Sequence, residues 1–205
     1  MRALGATSAQ RTQEKMETIV DKAALRKALA LTRIQLDPER KAAWDALIGA
    51  RVLAWWNGAA DALSAAGQTA GPLGVYWPLR GEPDLHPAYA ALAAAGTRLA
   101  LPVVVARDAA LGFTEWLPGE AMVKDSMGVA VPAQLRMLER PPALLIPCLG
   151  FNAQRIRLGY GGGYYDRTLE AHPRPLAVGI AYSCLQAAFA GAPHDVALDL
   201  VLTEA

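Results

Sequence analysis

The chain is 205 residues long, 53% hydrophobic and 19% charged, a globular composition that excludes a disordered or collagen-like polypeptide. Its formal net charge is +1, with ten Lys or Arg against six Asp or Glu in the first sixty residues and no concentrated basic stripe, so nucleic acid is an unsuitable partner while small anions remain suitable. Cys148 and Cys184 stand far apart without Cys-x-x-Cys or Cys/His spacing, which signals neither a zinc site nor a disulfide framework and fits a reducing, cytoplasmic compartment.

Residues 1–15 are polar and mixed and lack the apolar run of a signal peptide; they read as a flexible tail. Glu14 to Leu31 follows, with Ile19, Ala23, Leu25 and Leu29 at helical spacing. Asp37-Pro38-Glu39 supplies a cap, a proline at the first helical position and an acid in the first turn of a second helix, which Asn57-Gly58 is expected to stop.

From Gly71 onward short apolar runs alternate with helical pieces. Leu73 to Trp77, Pro87 to Ala95 ending at Gly96, and Arg98 to Val105 read as β-α-β. Further strands are expected at Gly112 to Trp116, Ala143 to Pro147, Leu176 to Tyr182 and Leu200 to Thr203, with a helix over Tyr164 to Ala171. Pro175 to Pro193 is nearly uncharged, but Gly179, Ser183, Gln186 and Gly191 interrupt it, which argues against a membrane span. No fixed-period repeat or linker is visible. The expectation is an α/β layered fold in which residues 16–205 form one domain.

Arg157-Leu158-Gly159-Tyr160-Gly161-Gly162-Gly163-Tyr164-Tyr165-Asp166 is the most unusual stretch. Four glycines in five residues let backbone N–H groups converge without Cβ obstruction, and a helix beginning after them adds its positive end, an arrangement suited to phosphate. Arg157 is placed to clamp phosphate oxygens, with phosphate rather than a buried protein acid as its expected charge partner. Asp166 is placed to hold magnesium. A glycine-rich turn with no ligand is the plain alternative. There is no Gly-Lys-Ser/Thr ending, and the glycines come too late in the chain for a dinucleotide-binding βαβ unit.

Pro147-Cys148-Leu149-Gly150-Phe151 followed by Arg157 to Arg167 resembles the signature of the 5-formyltetrahydrofolate cyclo-ligase family, and Tyr76-Trp77-Pro78, Glu82, Leu101-Pro102, His194-Asp195 with Asp199, and Leu202-Thr203-Glu204 support it. The resemblance runs in order from Asp21 to the C-terminus. It implies an open sheet flanked by helices, similar to the ribose-phosphate isomerase and CoA-transferase group, with the N-terminal helices packed on it. It also implies ATP and Mg2+ as co-substrate and metal and 5-formyltetrahydrofolate as substrate; a monomer with neither membrane nor nucleic acid as partner is the accompanying expectation.

By the same resemblance Lys22 and Arg26, four residues apart on one helix face, reach the nucleotide together with Arg157, Leu158, Gly159, Tyr160, Gly161, Gly162, Gly163, Tyr164 and Tyr165. Without it, such a pair reads as a solvated face. Trp77, Glu82, Leu149, Gly150, Phe151 and Tyr160 are implied to bind folate, Arg157 to act in catalysis, and Asp166 and Asp195 to ligate magnesium, with Asp199 a further candidate. The chain departs from the family pattern at Cys148 and Arg155, where glycine is customary, and at Asn152 and Val131, where an acid is. A small-molecule kinase sharing the phosphate loop and a non-catalytic folate or nucleotide binder are the two rival readings.

Overall fold

A computed structural model describes residues 21–65, 70–79 and 81–205. The expected tail, and the Glu14 to Ile19 part of the first expected helix, lie outside these.

Helix α1, Lys22–Ile34, starts where the Asp21 carboxylate accepts the Ala23 N–H, and it turns Leu25 and Leu29 onto the core. Helix α2 spans Pro38–Ala65, with the Arg40 N–H bonded to Asp37 Oδ1 at its start. Ile48, Val52 and Trp56, spaced by four, form its buried face. The expected stop at Asn57-Gly58 does not occur. A Cβ added at Gly58 would meet nothing, so this turn faces open space. The roughly 1 kcal/mol that an interior glycine costs is offset by Ala59, Ala60 and Ala62 continuing the helix.

The main sheet has seven strands in the order β11-β10-β7-β1-β2-β3-β6. They are β1 (Leu73–Gly74), β2 (Leu99–Val103), β3 (Gly112–Trp116), β6 (Met137–Leu138), β7 (Ala143–Pro147), β10 (Leu176–Ile180) and β11 (Leu200–Leu202). β2, β1, β7, β10 and β11 run parallel, while β3 and β6 add antiparallel at one edge, making the sheet mixed. Helix α3, His86–Ala94, crosses from β1 to β2 as the β-α-β reading expects, and Gly96 beyond its end takes φ +88°.

Side chains alternate across the sheet. Leu99, Leu101 and Leu145 join Leu73 and Val75 against α1, α2 and α3, whereas Ala100, Leu144 and Ile146 face Phe113 and Leu169 of α4, Tyr164–Glu170. Two small hairpins were not expected from the sequence: β4 (Met122–Lys124) with β5 (Ala130–Pro132), and β8 (Gly150–Phe151) with β9 (Arg157–Leu158). No helix among the described residues is long and apolar enough to cross a membrane.

The chain leaves β1 for β2 on one side and later returns as β7 on the other. β1 is therefore the topological switch point, and in such sheets ligands bind beyond the carboxyl ends of the strands there.

Candidate active site

A cavity of about 420 Å³ opens at that switch point. Tyr76, Trp77, Leu79 and Glu82 come from the segment leaving β1, Pro102 and Val104 from the end of β2, and Pro147 from the end of β7. The glycine loop 159–163, with Arg157 and Leu158 before it and Tyr164, Tyr165 and Asp166 after it, forms another wall. Lys22 and Arg26 reach in from α1, His194 and Asp195 from the loop before β11, and Asp125, Met127 and Val129 from the turn joining β4 to β5.

The glycines are needed where they stand. A Cβ at Gly159 would lie 2.6 Å from Arg157 Nη1, and Gly161 and Gly163 adopt φ of +99° and +65°. Arg26 Nε donates to the Gly159 carbonyl at 2.8 Å, so α1 fastens the loop directly. Helix α4 is only seven residues long; Lys22, Arg26 and Arg157 are the Lys and Arg side chains that line the cavity, and Arg167 Nη2 donates to the Gly162 carbonyl at 2.7 Å.

Two acids of the cavity, Asp166 and Asp195, each meet a base. Arg157 Nη2 lies 2.7 Å from Asp166 Oδ2, and Lys22 Nζ lies 2.8 Å from Asp195 Oδ2. The expectation that Arg157 has no protein acid as partner is therefore corrected: its side chain is 7% exposed, stacks 5.4 Å from the Tyr165 ring centroid and pairs with Asp166. Burial of the guanidinium selects the nearest carboxylate, which the loop turns back toward it. Its Nε is buried and has no partner among the described residues, an unspent donor at the cavity wall. Burial alone would raise the Asp195 pKa, but the Ala192 N–H and the Lys22 ammonium hold it below the usual carboxylate range.

At the other end Glu82, 4% exposed, accepts the Leu79 N–H through Oε2 and the Tyr160 hydroxyl through Oε1 at 2.9 Å. Burial and the Glu82 charge push Tyr160 up to about 12, so the phenol keeps its proton. Tyr165 is raised further by burial and then by Glu82. Trp77 packs edge-on to His86, with ring centroids 4.6 Å apart, and His86 Nδ1 is 2.7 Å from Asp84 Oδ1.

Lys22, Arg26, Trp77, Glu82, residues 157–166 and Asp195 thus share one cavity. Leu149, Gly150 and Phe151 do not line it. Leu149 and Phe151 are buried in the core and Gly150 lies against Leu29, where a Cβ would come within 2.5 Å of its Cδ1. Asp199 also lies elsewhere, accepting from Arg174 Nη1 through both oxygens at 2.9 Å and from the Ala177 N–H. His86 and His172 do not line the cavity, whereas His194 does.

The four residues at which the resemblance leads one to expect other types have local settings. Arg155 sits at φ +59°, the left-handed region that glycine favours, and its Nη1 bonds the Asp199 carbonyl at 2.8 Å. Asn152 is buried; its Oδ1 accepts the Gln154 and Ile156 N–H groups and its Nδ2 donates to the Phe189 carbonyl. The Cys148 side chain lies beside Gly179, where a Cβ would stand 3.1 Å from its Sγ, and burial pushes the thiol up to about 12. Val131 is buried in β5.

Sequence reasoning missed Asp125, Met127 and Val129, which only the β4–β5 turn brings to the cavity, and Arg33, buried behind it. A basic residue at the end of an amphipathic helix carries no signal of burial.

Whether the residues present suit magnesium follows from the donor set. Among the described residues no three Asp, Glu, His or Cys converge, so a closed protein cage is absent. Two carboxylates, Asp166 and Asp195, do border the glycine loop, and a magnesium ion that arrives on phosphate needs one or two. The residues fit an ion shared with a nucleotide.

The chain is similar to the 5-formyltetrahydrofolate cyclo-ligase of Mycoplasma pneumoniae, 48% identical over 61 residues, or 29% of this chain and 37% of that relative's length. To that of Mycolicibacterium smegmatis it is 34% identical over 143 residues, covering 62% of this chain and 71% of the other. The first of these alignments spans little more than a third of the relative. In structure, 91% of the chain superimposes on all of a 5,10-methenyltetrahydrofolate synthetase from Mycoplasma pneumoniae, with a TM-score of 0.74 and 26% identity. The model of the 5-formyltetrahydrofolate cyclo-ligase family matches residues 18–204, nearly the whole length and the entire cavity, and the chain belongs to that family.

Proposed function

We propose that the chain cyclises 5-formyltetrahydrofolate to 5,10-methenyltetrahydrofolate at the expense of ATP. The observation that carries this reading is a single cavity with a basic, glycine-walled end at Lys22, Arg26 and Arg157 and an acid-floored, aromatic end at Glu82, Trp77 and Tyr160. The first end suits a triphosphate. The second suits a flat heterocycle whose N–H groups a carboxylate can accept.

An N-formyl group is an unreactive amide, and phosphorylating its oxygen makes its carbon electrophilic. The formyl oxygen attacks the γ-phosphorus as the bond to ADP breaks; N10 then attacks the imidate carbon, loses its proton, and inorganic phosphate leaves with the carbon–oxygen bond. Lys22, Arg26 and Arg157 offset the charge on the phosphoryl oxygens, and the glycine N–H groups orient them. Magnesium held by Asp166 and Asp195 would supply further neutralisation of phosphate charge. Glu82, with Tyr160 bonded to it, orients the pterin, and Trp77 lies against its ring. No Ser or Cys nucleophile is required, which accords with a buried Cys148 whose thiol is raised to about 12.

The mixed sheet with a parallel centre supports likeness to the ribose-phosphate isomerase and CoA-transferase group. A monomer acting as one domain in a reducing compartment completes the proposal.

Purified protein incubated with 5-formyltetrahydrofolate and MgATP tests the reading, with the methenyl product followed spectroscopically. One methenyl product for each ADP is the expected result. A stable phosphorylated product would make the chain a kinase, and tight binding of both ligands without turnover would make it a binding module.

A further inference from the structure

Arg33, in the last turn of α1, is 2% exposed and among the largest fully buried side chains described. A cation so buried holds its place through charge-assisted hydrogen bonds. Its Nη2 donates to the Tyr160 hydroxyl oxygen, its guanidinium lies 5.7 Å from the Tyr160 ring centroid, and its stem packs beneath Gly81, where a Cβ would be 3.9 Å from Arg33 Cγ. A guanidinium only donates, so the Tyr160 oxygen accepts there and its single proton is directed elsewhere. That proton goes to Glu82 Oε1, 2.9 Å away. The chain of hydrogen bonds therefore has one sense, from Arg33 through Tyr160 to Glu82.

This chain joins the two ends of the cavity. Tyr160 stands inside the glycine loop between Gly159 and Gly161, whereas Glu82 lies on the segment leaving β1. α1 grips the loop at two places two helical turns apart, with Arg26 on the Gly159 carbonyl and Arg33 on the Tyr160 hydroxyl. Tyr160 is itself 47% exposed, and these bonds help to hold it in place. A ligand that donates hydrogen bonds to Glu82 fixes the carboxylate in its charged, accepting form and so fixes Tyr160. A loop already ordered by that route has less conformational entropy left to lose when phosphate enters.

We propose that Arg33 is a positioning residue which, through Tyr160 and Glu82, couples the folate end of the cavity to the nucleotide loop, so that each ligand raises the affinity for the other. The inference rests on the assignment of the two ends made above.

Calorimetric titration with a non-hydrolysable ATP analogue, with and without saturating 5-formyltetrahydrofolate, separates the two ideas. For the unaltered protein, folate is expected to tighten analogue binding about fivefold or more, and the reverse titration to give the same factor. Tyr160→Phe keeps the ring but has neither an oxygen to accept from Arg33 nor a proton for Glu82; it should bring the factor to one, with a thermal transition that is lowered but still cooperative, so that both titrations are made on folded protein. Arg33→Lys retains a donor and should keep part of the factor. If the unaltered protein binds both ligands with a factor of one, or Tyr160→Phe keeps the parental factor, the coupling is wrong and the cavity assignment survives. Failure of the unaltered protein to bind 5-formyltetrahydrofolate at all overturns the assignment and the coupling together.

Discussion

Arg157 Nη2 stands 2.7 Å from Asp166 Oδ2, across a turn whose glycines leave room for the guanidinium to fold back. The pair has two consequences. It keeps a nearly buried cation beside the glycine loop without a ligand, and it ties the arginine proposed to meet phosphate to the proposed metal acid.

Arg157→Ala should therefore affect both stability and turnover. Removing one partner of a mostly buried ion pair costs about 3 kcal/mol, because the other charge stays behind, and losing a contact to a transferring phosphoryl group costs about 10²-fold or more in turnover. The double variant Arg157→Ala/Asp166→Ala should regain part of the stability but none of the activity. Urea unfolding of the parent, both single variants and the double variant measures the cycle; additive losses would show that the pair contributes nothing.

Lys22 and Asp195 make the second pair, and its signature is pH dependence. The Asp195 pKa is depressed, so its contribution is fully present above the unfolded carboxylate value of about 4 and is lost as the pH falls through the lower folded value. Lys22→Met removes its own contribution, while the Ala192 N–H and the nearby His194 keep theirs. The stability gap between parent and Lys22→Met should be widest near neutral pH and close in acid. The same variant should raise the apparent KM for ATP more than that for folate. A gap that stays constant from neutral to acid pH would detach Asp195 from Lys22.

Arg155 lies outside the cavity, at a position where the sequence resemblance leads one to expect glycine. At φ +59° a side chain costs about 1 kcal/mol relative to glycine, and the bond from Nη1 to the Asp199 carbonyl returns a similar amount. Arg155→Gly should consequently fall within about 1 kcal/mol of the parent, whereas Arg155→Ile, β-branched and without the donor, should lose about 2 kcal/mol or more. Thermal unfolding of the two variants tests this; equal losses would mean that the left-handed turn sets no preference at position 155.

What could be read from the sequence follows from where each signal resides. Gly112–Trp116 and Ala143–Pro147 are expected at the bounds the structure shows, the first because Phe113, Thr114 and Trp116 favour a strand directly after a glycine, the second because a continuous apolar run lies between prolines. The hairpins β4–β5 and β8–β9 have strands of two or three residues, too short to establish a period of two, and they form because their neighbours bring them together. Asn57-Gly58 reads as a helix stop, but local preference there is weaker than the burial of Val52 and Trp56 and the alanines beyond. In the site, the glycine loop declares itself by composition. The Arg33–Tyr160–Glu82 chain does not, since its members are far apart in sequence and each alone resembles an ordinary surface residue.

The remaining prediction concerns magnesium, and the two ion pairs sharpen it. Asp166 and Asp195 stand twenty-nine positions apart yet border one cavity beside the glycine loop, each held by a cation. Asp166 and Asp195 would hold a magnesium ion arriving with the nucleotide, which would supply charge neutralisation, and Arg157 and Lys22, freed from these acids, would donate to the phosphate oxygens. Asp166→Asn and Asp195→Asn should each raise the magnesium concentration needed for half-maximal turnover and for tight binding of the ATP analogue, while ATP-analogue binding without magnesium is unchanged or stronger because the basic partner is set free. If the acids serve only to anchor Arg157 and Lys22, the variants lose stability and the magnesium titration superimposes on that of the parent. Measuring the thermal transition beside the titration separates the two outcomes, and superimposable titrations for both variants would remove the metal assignment.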